Sequence, residues 1–392
     1  MDFAVPDELV ALRRSFAAFL DRDVRPREER VLDRIREGVF DDTVRAAAAE
    51  VKARSCAEGF YAAHLPESVG GWGLSTLGMT FLVEDAAASG LRLAMYAVGP
   101  PNPEAPTPLL LDLPEHLWDT YLRPLVRGEQ TMCFALTEPE AGSDAQAIKT
   151  RAVLDSGAGG SGDWVLNGRK HYITNADRAD FAIVFAVNDA EKRAAGGITA
   201  FVVPRSQWSP GKKQLTIADT HPSELVLDDA RVPADHVIGE VGMGFFAAMK
   251  FLNAGRAFIG AQCLGLAEWC LTAAVEHAKS RTAFGKPLGK FQGVSFPLAE
   301  CKAEIEAMRW LTYHLAWAVD QGETPMLDAS IVKYYDTERA YAVADRCLQV
   351  FGGMGLLKEG PVEHVLRHLR MLRVVEGASE VQKLVIAKSL GL

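Results

Sequence analysis

One carboxylate near the C-terminus has neighbours that suit acid–base chemistry. Leu372, Val374 and Val375 precede Glu376, and Gly377 follows it. Apolar neighbours disfavour the charged form of a carboxyl group, so the pKa of Glu376 should rise toward a value that suits a general base. The alternative is an ordinary acidic residue at a helix start, where a carboxylate complements the helix dipole.

A second segment with chemical potential is TEPEAGSD, residues 137–144, at the end of an apolar run that is typical of a strand. Its small residues would let a planar cofactor or a phosphate approach backbone N–H groups closely. A plain strand-to-loop junction with a turn and a helix cap is the alternative, which composition alone slightly favours.

Two histidines have a spacing that can bind zinc on a helix. His364 and His368 are four residues apart, but Val365 stands where the zinc-protease pattern requires glutamate. No third ligand is evident nearby. We therefore predict two histidines on a helix surface and no metal site.

A glycine-rich pattern suggests a dinucleotide site but lacks the required context. Gly157, Gly159 and Gly162 match G-x-G-x-x-G, yet the segment that follows, WVLNGRKHYI, is typical of a strand. A pyrophosphate site needs a strand before the glycines and a helix after them. The pattern is therefore interpreted as a hairpin loop.

Three regions with different residue patterns must position these side chains. Residues 1–130 show apolar positions at helical spacing, interrupted at 97–108 by a loop that contains five prolines. Residues 131–239 contain six short β-branched or aromatic runs separated by turn residues, which predicts an antiparallel barrel or sandwich. Long helical patterns return in residues 240–392, where Gly260 and Gly265 would allow close helix approach. This order predicts an α+β protein.

Composition excludes several classes of protein. Of 392 residues, 48% are hydrophobic and 24% are charged, as in globular proteins. The formal charge of −9 disfavours nucleic-acid binding, because it repels phosphate backbones. The six cysteines form no C-x-x-C pair and are predicted to be reduced thiols of a cytoplasmic protein. The first residues lack the pattern of a signal peptide, and no membrane span is expected.

Five segments carry a resemblance that covers nearly the whole chain. They are, in order, FALTEPEAGSD, LNGRKHYITNA, RTAFGKPLGKFQ, QVFGGMGLLKEGPVE and VVEGASEVQKLVIAKSL. Together they resemble the motifs of the acyl-CoA dehydrogenase family, while the first hundred residues match mainly in their general pattern of apolar and polar residues. The resemblance implies a helical N-terminal domain, a middle antiparallel β-domain and a C-terminal four-helix bundle.

The resemblance also implies a cofactor, a reaction and partners. FAD would lie between the β-domain and the bundle, in a homotetramer, or at least a dimer, in which a neighbouring subunit completes the site. An acyl-CoA would be oxidised to 2-enoyl-CoA in fatty acid or lipid metabolism. Electrons would leave through an electron-transferring flavoprotein.

By resemblance, Glu376 is the catalytic base, and its backbone N–H is one of two donors to the thioester oxygen. Some relatives carry the base on an earlier helix, but Gly255 stands at that position here and cannot act as one. The resemblance assigns the following residues to FAD: Phe134, Leu136, Thr137, Gly142, Ser143, Tyr172, Thr174, Arg281, Phe284, Gln292, Gln349, Gly352, Gly353, Ala378 and Glu380. It assigns Ser143, Asn253, Arg256, Val375 and Gly377 to the substrate.

Three departures from the family pattern affect the expected site. Val375 replaces the usual aromatic residue, which widens the space beside the thioester for a bulkier or branched acyl group. Ala378 replaces the usual threonine, so one hydrogen bond to the flavin is missing. Tyr172 stands where the family usually has tryptophan.

Other functions remain open from sequence. A thioester on an acyl-carrier protein could replace acyl-CoA, and a flavoprotein oxidase or monooxygenase could use the same fold. A helical assembly or binding protein without catalytic activity is the third alternative, and a colourless protein that takes up no FAD would favour it. Rapid reoxidation of the reduced flavin by oxygen would favour the oxidase or monooxygenase.

Overall fold

The N-terminal region is helical, as predicted, in a computed structural model that describes residues 4–156, 162–219 and 221–392. Asp41 begins the longest of these helices by accepting hydrogen bonds from the backbone N–H groups of Thr43 and Val44, and Gly59 ends it. Residues 98–107 form the predicted proline-rich loop. The helices are α1 (Asp7–Phe19), α2 (Arg25–Glu29), α3 (Leu32–Arg36), α4 (Asp42–Glu58), α5 (Thr76–Ala88) and α6 (Leu122–Val126).

The middle region is one sheet of eight strands. In chain order they are β1 (Met132–Ala135), β2 (Arg151–Leu154), β3 (Trp164–Ile173), β4 (Phe181–Val187), β5 (Ile198–Pro204), β6 (Ser209–Lys213), β7 (Ser223–Val232) and β8 (Val237–Ile238). Their order in the sheet is β6-β7-β3-β2-β4-β5-β8, and β1 pairs with β4. Every residue of β4 is buried, which explains its uninterrupted apolar sequence.

Most strand pairs are antiparallel, but two are not. β1 runs parallel to β4 from Met132 opposite Phe181, and β2 meets β4 in parallel at Arg151 opposite Val187. The predicted antiparallel sheet is therefore mixed around β4. Residue pattern alone did not indicate this, because a strand buried on both faces has the same sequence in either direction.

The C-terminal region consists of three long helices and two shorter ones. A hairpin of β9 (Thr282–Ala283) and β10 (Lys286–Pro287) joins the first two helices. Both shorter helices pack against α9, the third long helix. The helices are α7 (Gly244–Ser280), α8 (Gln292–Asp320), α9 (Met326–Val350), α10 (Glu363–Leu372) and α11 (Ser379–Ser389).

The two glycines of α7 permit the close helix approach that was predicted. A Cβ atom on Gly260 would lie 2.5 Å from Thr312 Oγ1 of α8, and one on Gly265 would lie 2.3 Å from the carbonyl oxygen of Glu84 in α5. Helix α7 therefore contacts both the bundle and the N-terminal region. Helix α8 also contacts the N-terminal region, because Arg309 Nη1 lies 2.6 Å from the buried carboxylate of Glu84 in α5.

Helix α7 is also long and apolar enough to cross a membrane, with an 18-residue window of mean hydropathy 1.4. Within the described ranges it is the one helix that meets both criteria. Of that window, 56% is buried inside the fold, and a buried core helix has the same length and composition. The expectation that the chain has no membrane span stays a prediction.

Candidate active site

Glu376 lies in a short loop between α10 and α11 with a backbone φ of 57°. Positive φ is costly for a residue with a side chain, and such strain often marks functional sites. Glu338 of α9 holds the ends of this loop: its carboxylate accepts a hydrogen bond of 2.6 Å from Ser379 Oγ and pairs with Arg373 Nη2 at 2.7 Å. The surrounding helices therefore fix the strained conformation.

Two cations from different helices face the Glu376 carboxyl group. Burial raises the pKa of Glu376 above its usual value, and the charges of Lys333 and Arg256 oppose this shift. Arg256 of α7 is buried and its Nη1 donates to Asn253 Oδ1 at 2.5 Å. The structure thus brings together three residues that the sequence assigned to one site, Glu376, Arg256 and Asn253.

Gly377 is fixed next to Glu376 by its backbone. It has a φ of 94°, and its carbonyl oxygen accepts a hydrogen bond of 3.0 Å from Gln382 Nε2. A Cβ atom at this position would lie 2.5 Å from Gln382 Nε2 and 3.5 Å from Arg256 Nη2. Only glycine fits here without displacing the Gln382 side chain.

We expect Gly377→Ala to lose about 1–3 kcal/mol of stability and most of the activity, because the new methyl group displaces Gln382 and with it the Glu376 backbone. Thermal unfolding and flavin reduction by a thioester measure the two effects. Gly322→Ala is the matched control: Gly322 has a φ of 79° but its Cβ would meet nothing within 4 Å. Equal loss of activity in both variants would contradict a specific role for Gly377.

The TEPEAGSD segment combines a buried anchor with an exposed loop. The Glu138 carboxylate accepts hydrogen bonds from the backbone N–H groups of Lys149, at 2.6 Å, and Thr150, at 2.9 Å. Gly142 and Ser143, further along, are exposed. Each earlier interpretation therefore fits one part of the segment. Glu138 fixes a strand-to-loop junction, and the small residues form an exposed loop.

Lys170 of β3 completes this anchor and was not predicted from sequence. Its side chain is 0% exposed, and Nζ donates to Glu138 Oε1 at 2.8 Å and to the Leu136 carbonyl at 3.0 Å. Burial lowers the pKa of Lys170 to about 8, against the opposing charge of Glu138. Burial likewise disfavours the Glu138 carboxylate, but Lys170 holds the pKa of Glu138 below its usual value. The ion pair fixes the backbone of Leu136.

The predicted flavin-facing residues of β3 lie beside this segment. The backbone N–H of His171 donates to the Thr137 carbonyl at 2.8 Å. Tyr172 follows with a φ of 56° and is 61% exposed. Thr174, in the turn that follows, is half-buried. Leu136, Thr137 and Tyr172 therefore share one edge of the sheet.

The first turns of α7 connect this edge to the Glu376 loop. The ring of Phe134 in β1 lies 5.8 Å from that of Phe251 in α7. Arg256 lies five residues further along α7, a rise of about 8 Å along the helix axis. The sheet edge and the loop that carries Glu376 are thus adjacent to the same short stretch of helix.

A third group of predicted cofactor residues lies elsewhere in the chain. Arg281 ends α7, 25 residues after Arg256, a separation of about 37 Å along the helix. The ring of Phe351, next to Gly352, lies 4.6 Å from His277 near the same end of α7. One chain therefore does not bring this group to the Glu376 site. The group comprises Arg281, Phe284, Gln292, Gln349, Gly352 and Gly353, all exposed.

Backbone strain coincides with the predicted site. Six non-glycine residues of the described ranges have positive φ, and three of them, Tyr172, Phe284 and Glu376, are predicted site residues. Phe284 has a φ of 50° at the tip of the β9–β10 hairpin and is 95% exposed. The strained backbone holds this ring in solvent, where it is available to contact another molecule.

The residues present fit a bulky polar cofactor and its ligand. A Cβ atom on Gly142, Gly352 or Gly353 would meet nothing within 4 Å, so space for a ligand remains open along these backbones. Near Glu376, two buried polar atoms, Arg256 Nε and Gln382 Oε1, have no hydrogen-bond partner among the described residues. Buried polar atoms are rarely left unpaired in proteins unless a ligand or water pairs with them.

The structure describes the histidine pair but only part of the glycine-rich pattern. His364 and His368 are half-buried rather than on the helix surface, because α10 packs against α7 and α9. Burial lowers the pKa of His368 to about 4, so its ring is neutral. The described ranges contain no group of three or more residues arranged to hold a metal ion. Gly157 and Gly159 lie outside the described residues, and β3 follows Gly162, as expected.

Comparisons with known proteins agree with this geometry. The chain matches the N-terminal domain of acyl-CoA dehydrogenases over residues 6–129, the middle domain over 133–230 and the C-terminal domain over 242–391. It belongs to the acyl-CoA dehydrogenase family, which confirms the predicted family and α+β fold.

Three similar proteins extend the comparison. The caffeyl-CoA reductase–Etf complex subunit CarC of Acetobacterium woodii is 35% identical over 84% of this chain and 86% of its own. The structure of butyryl-CoA dehydrogenase from Megasphaera elsdenii has a TM-score of 0.87 with 34% identity over 100% of both chains. An FAD complex of PigA has a TM-score of 0.88 with 26% identity over 100% of both chains.

Proposed function

We propose that this chain is an FAD-dependent acyl-CoA dehydrogenase that uses Glu376 as its base. The observation that carries the proposal is the position of Glu376: a strained, half-buried carboxylate that two cations face, on a loop next to α7. The first turns of α7 also contact β1, through the rings of Phe251 and Phe134, next to the sheet edge formed by Leu136, Thr137 and Tyr172. Family membership and the FAD complex of PigA support FAD as the cofactor.

The chain's own residues supply a base and an oxyanion donor. The C2 proton of a thioester is weakly acidic, so its removal needs a positioned carboxylate and a polarised carbonyl. Glu376 accepts that proton. The backbone N–H of Glu376 donates to no other described residue and is available to the thioester oxygen. FAD, when bound, accepts the hydride from C3.

The substrate side is proposed from Arg256, Asn253 and Ser143. Arg256 Nε has no hydrogen-bond partner among the described residues and lies beside Gly377, where a polar part of the CoA would satisfy it. Val375 is 37% exposed, so its small side chain leaves room beside the thioester for a branched or bulky acyl group. The butyryl-CoA dehydrogenase of Megasphaera elsdenii supports an acyl-CoA substrate.

Assembly into a homotetramer, with Arg281, Phe284, Gln292, Gln349, Gly352 and Gly353 contacting the FAD of a neighbouring subunit, is part of the proposal. The Etf complex of CarC supports an electron-transferring flavoprotein as acceptor. A cytoplasmic location and domain limits at residues 130 and 239 also remain predictions. The exposed, strained Phe284 is the feature that supports a contact between subunits.

We expect Phe284→Ser to weaken assembly and FAD retention together, because the exposed ring would lose its contact with the neighbouring subunit. Light scattering and the ratio of flavin to protein absorbance measure both properties. Leu215→Ser is the control, since Leu215 is 81% exposed in the middle region. A Phe284→Ser protein with unchanged mass and full FAD would exclude this contact.

A flavoprotein oxidase is the second candidate, because the prolyl acyl carrier protein oxidase AnaB has the same fold, with a TM-score of 0.87. One experiment separates the two functions. The yellow protein is mixed anaerobically with straight, branched, aromatic and steroid-side-chain acyl-CoAs, and products are identified by mass spectrometry. We expect flavin bleaching, a product two hydrogens lighter, and slow reoxidation by oxygen. Rapid reoxidation would support the oxidase, and no bleaching by any thioester would contradict both the substrate class and the reaction.

A further inference from the structure

A fully buried lysine, one of the two cations that face Glu376, lies behind the Glu376 loop. Lys333 of α9 is 0% exposed, and its Nζ donates to the Leu372 carbonyl at 2.7 Å. Leu372 is the last residue of α10, where carbonyl groups lack partners within the helix and a positive charge is favourable. Lys333 therefore fixes the backbone at the point where the Glu376 loop begins.

One hydrogen bond does not offset the free-energy cost of burying this ammonium group. A charged amine in an apolar interior is unfavourable unless it is paired. The Leu372 carbonyl is its one hydrogen-bond acceptor within the described ranges. The side chains that face Lys333 electrostatically are Cys263 and Arg256 of α7, Glu338 of its own helix, and Glu376.

Of these groups, Glu376 is the carboxylate without a hydrogen-bonded cation of its own among the described residues, so the charge of Lys333 stabilises it most. Glu338 is already paired with Arg373 and Ser379. Burial strongly raises the pKa of the Cys263 thiol, so it is neutral. Asp336, one turn along α9 from Lys333, is also fully buried; burial raises its pKa well above the usual value, and its Oδ2 accepts a hydrogen bond of 2.6 Å from Thr312 Oγ1.

We propose that Lys333 is a positioning residue: its buried ammonium anchors the backbone that leads into Glu376 and stabilises the carboxylate form of Glu376. The proposal rests on the proposed role of Glu376 as the base. Burial raises the pKa of Glu376, and Lys333 is the larger of the two cationic contributions that lower it. Without Lys333 the base would be protonated over a wider pH range.

The sign of the expected pH effect follows directly. Glu376 acts as a base only when it is deprotonated, so flavin reduction falls as the pH drops below the pKa of Glu376. Removing an opposing positive charge raises a carboxyl pKa by about one to three units. Lys333→Met should therefore move the acid limb of the rate profile to higher pH by about one unit or more.

The test compares Lys333→Met and Lys333→Gln with the charge-preserving Lys333→Arg. Lys383→Met is the matched control, because Lys383 is exposed on α11 and contacts the ring of Tyr334 at 4.8 Å. Anaerobic flavin reduction is measured against pH in each FAD-loaded protein. Infrared titration measures Glu376 protonation without turnover, through a carbonyl band that Glu376→Gln lacks. We expect both neutral variants to shift alkaline in both readouts, and the other two to match the wild type.

Each outcome decides the proposal. A neutral variant that folds with full FAD and keeps the wild-type acid limb and infrared titration would overturn it. If both neutral variants fail to fold while Lys333→Arg folds, Lys333 serves the fold alone and the tuning role is withdrawn. If no thioester reduces the wild-type flavin, the proposed function fails, and the infrared titration still decides whether Lys333 sets the charge of Glu376.

Discussion

Replacing Glu376 by glutamine should leave a yellow protein whose flavin a thioester no longer bleaches. Glutamine keeps the size of the side chain but cannot accept the C2 proton. General-base catalysis typically contributes about 10²–10⁴-fold to a rate, so we expect flavin reduction to slow by at least that range. Stopped-flow absorbance under anaerobic conditions measures the rate, and the spectrum of the bound flavin confirms that the cofactor is retained.

Glu323→Gln is the matched control for this prediction. Glu323 is exposed beyond the end of α8, so the same chemical change there should leave the rate unchanged. The prediction is wrong if Glu376→Gln reduces its flavin within about tenfold of the wild-type rate, because that would place the base on another residue.

Removing Lys170 should cause the largest loss of stability. Lys170→Met leaves the buried Glu138 carboxylate without its cation, and breaking one side of a buried ion pair typically costs about 3–5 kcal/mol. The backbone donors of Lys149 and Thr150 remain but cannot neutralise the charge. Urea denaturation followed by circular dichroism measures the change in the free energy of unfolding.

Two further variants separate the ion pair from a general effect of charge removal. Lys149→Met removes an exposed lysine that pairs with Glu140 on the surface, and should change stability by less than about 1 kcal/mol. The double variant Lys170→Met/Glu138→Gln should recover part of the loss, since no buried charge remains unpaired. A loss below about 1 kcal/mol in Lys170→Met would show that Glu138 is stabilised by its backbone donors alone.

The order of helical, strand and helical regions was predictable because each has its own periodicity. Strand β3, for example, coincides with the segment WVLNGRKHYI that was interpreted as a strand. The parallel pairing of β1 with β4 was not predictable, because strand direction depends on partners distant in the sequence.

The buried charges could have been found with closer attention to the same patterns. Lys333 and Asp336 occupy the buried face of α9 together with Ala329 and Ala340, at the i, i+4, i+7 and i+11 spacing of an apolar stripe. Lys170 falls on the inward face of β3, in the alternation that begins with Trp164. A charged residue at a core position signals a buried ion pair or a functional contact.

The conformation of the site was beyond the reach of sequence patterns. Nothing in the residue types predicts a positive φ for Glu376 or Tyr172, since β-carbon sterics disfavour it at both. The surrounding helices impose these conformations, through contacts such as that between Ser379 and Glu338. The large distance between Arg281 and Arg256 likewise depends on the length of α7, which residue patterns do not fix.

Anaerobic stopped-flow reduction of the wild-type flavin with a C2-dideuterated thioester tests removal of the C2 proton most directly. If Glu376 takes that proton while the flavin is reduced, the deuterated acyl-CoA must bleach the flavin more slowly than its protiated form. Bleaching at equal rates by the two isotopologues, together with a slower rate for Glu376→Gln, would mean that the C2–H bond is not broken in the step that Glu376 assists.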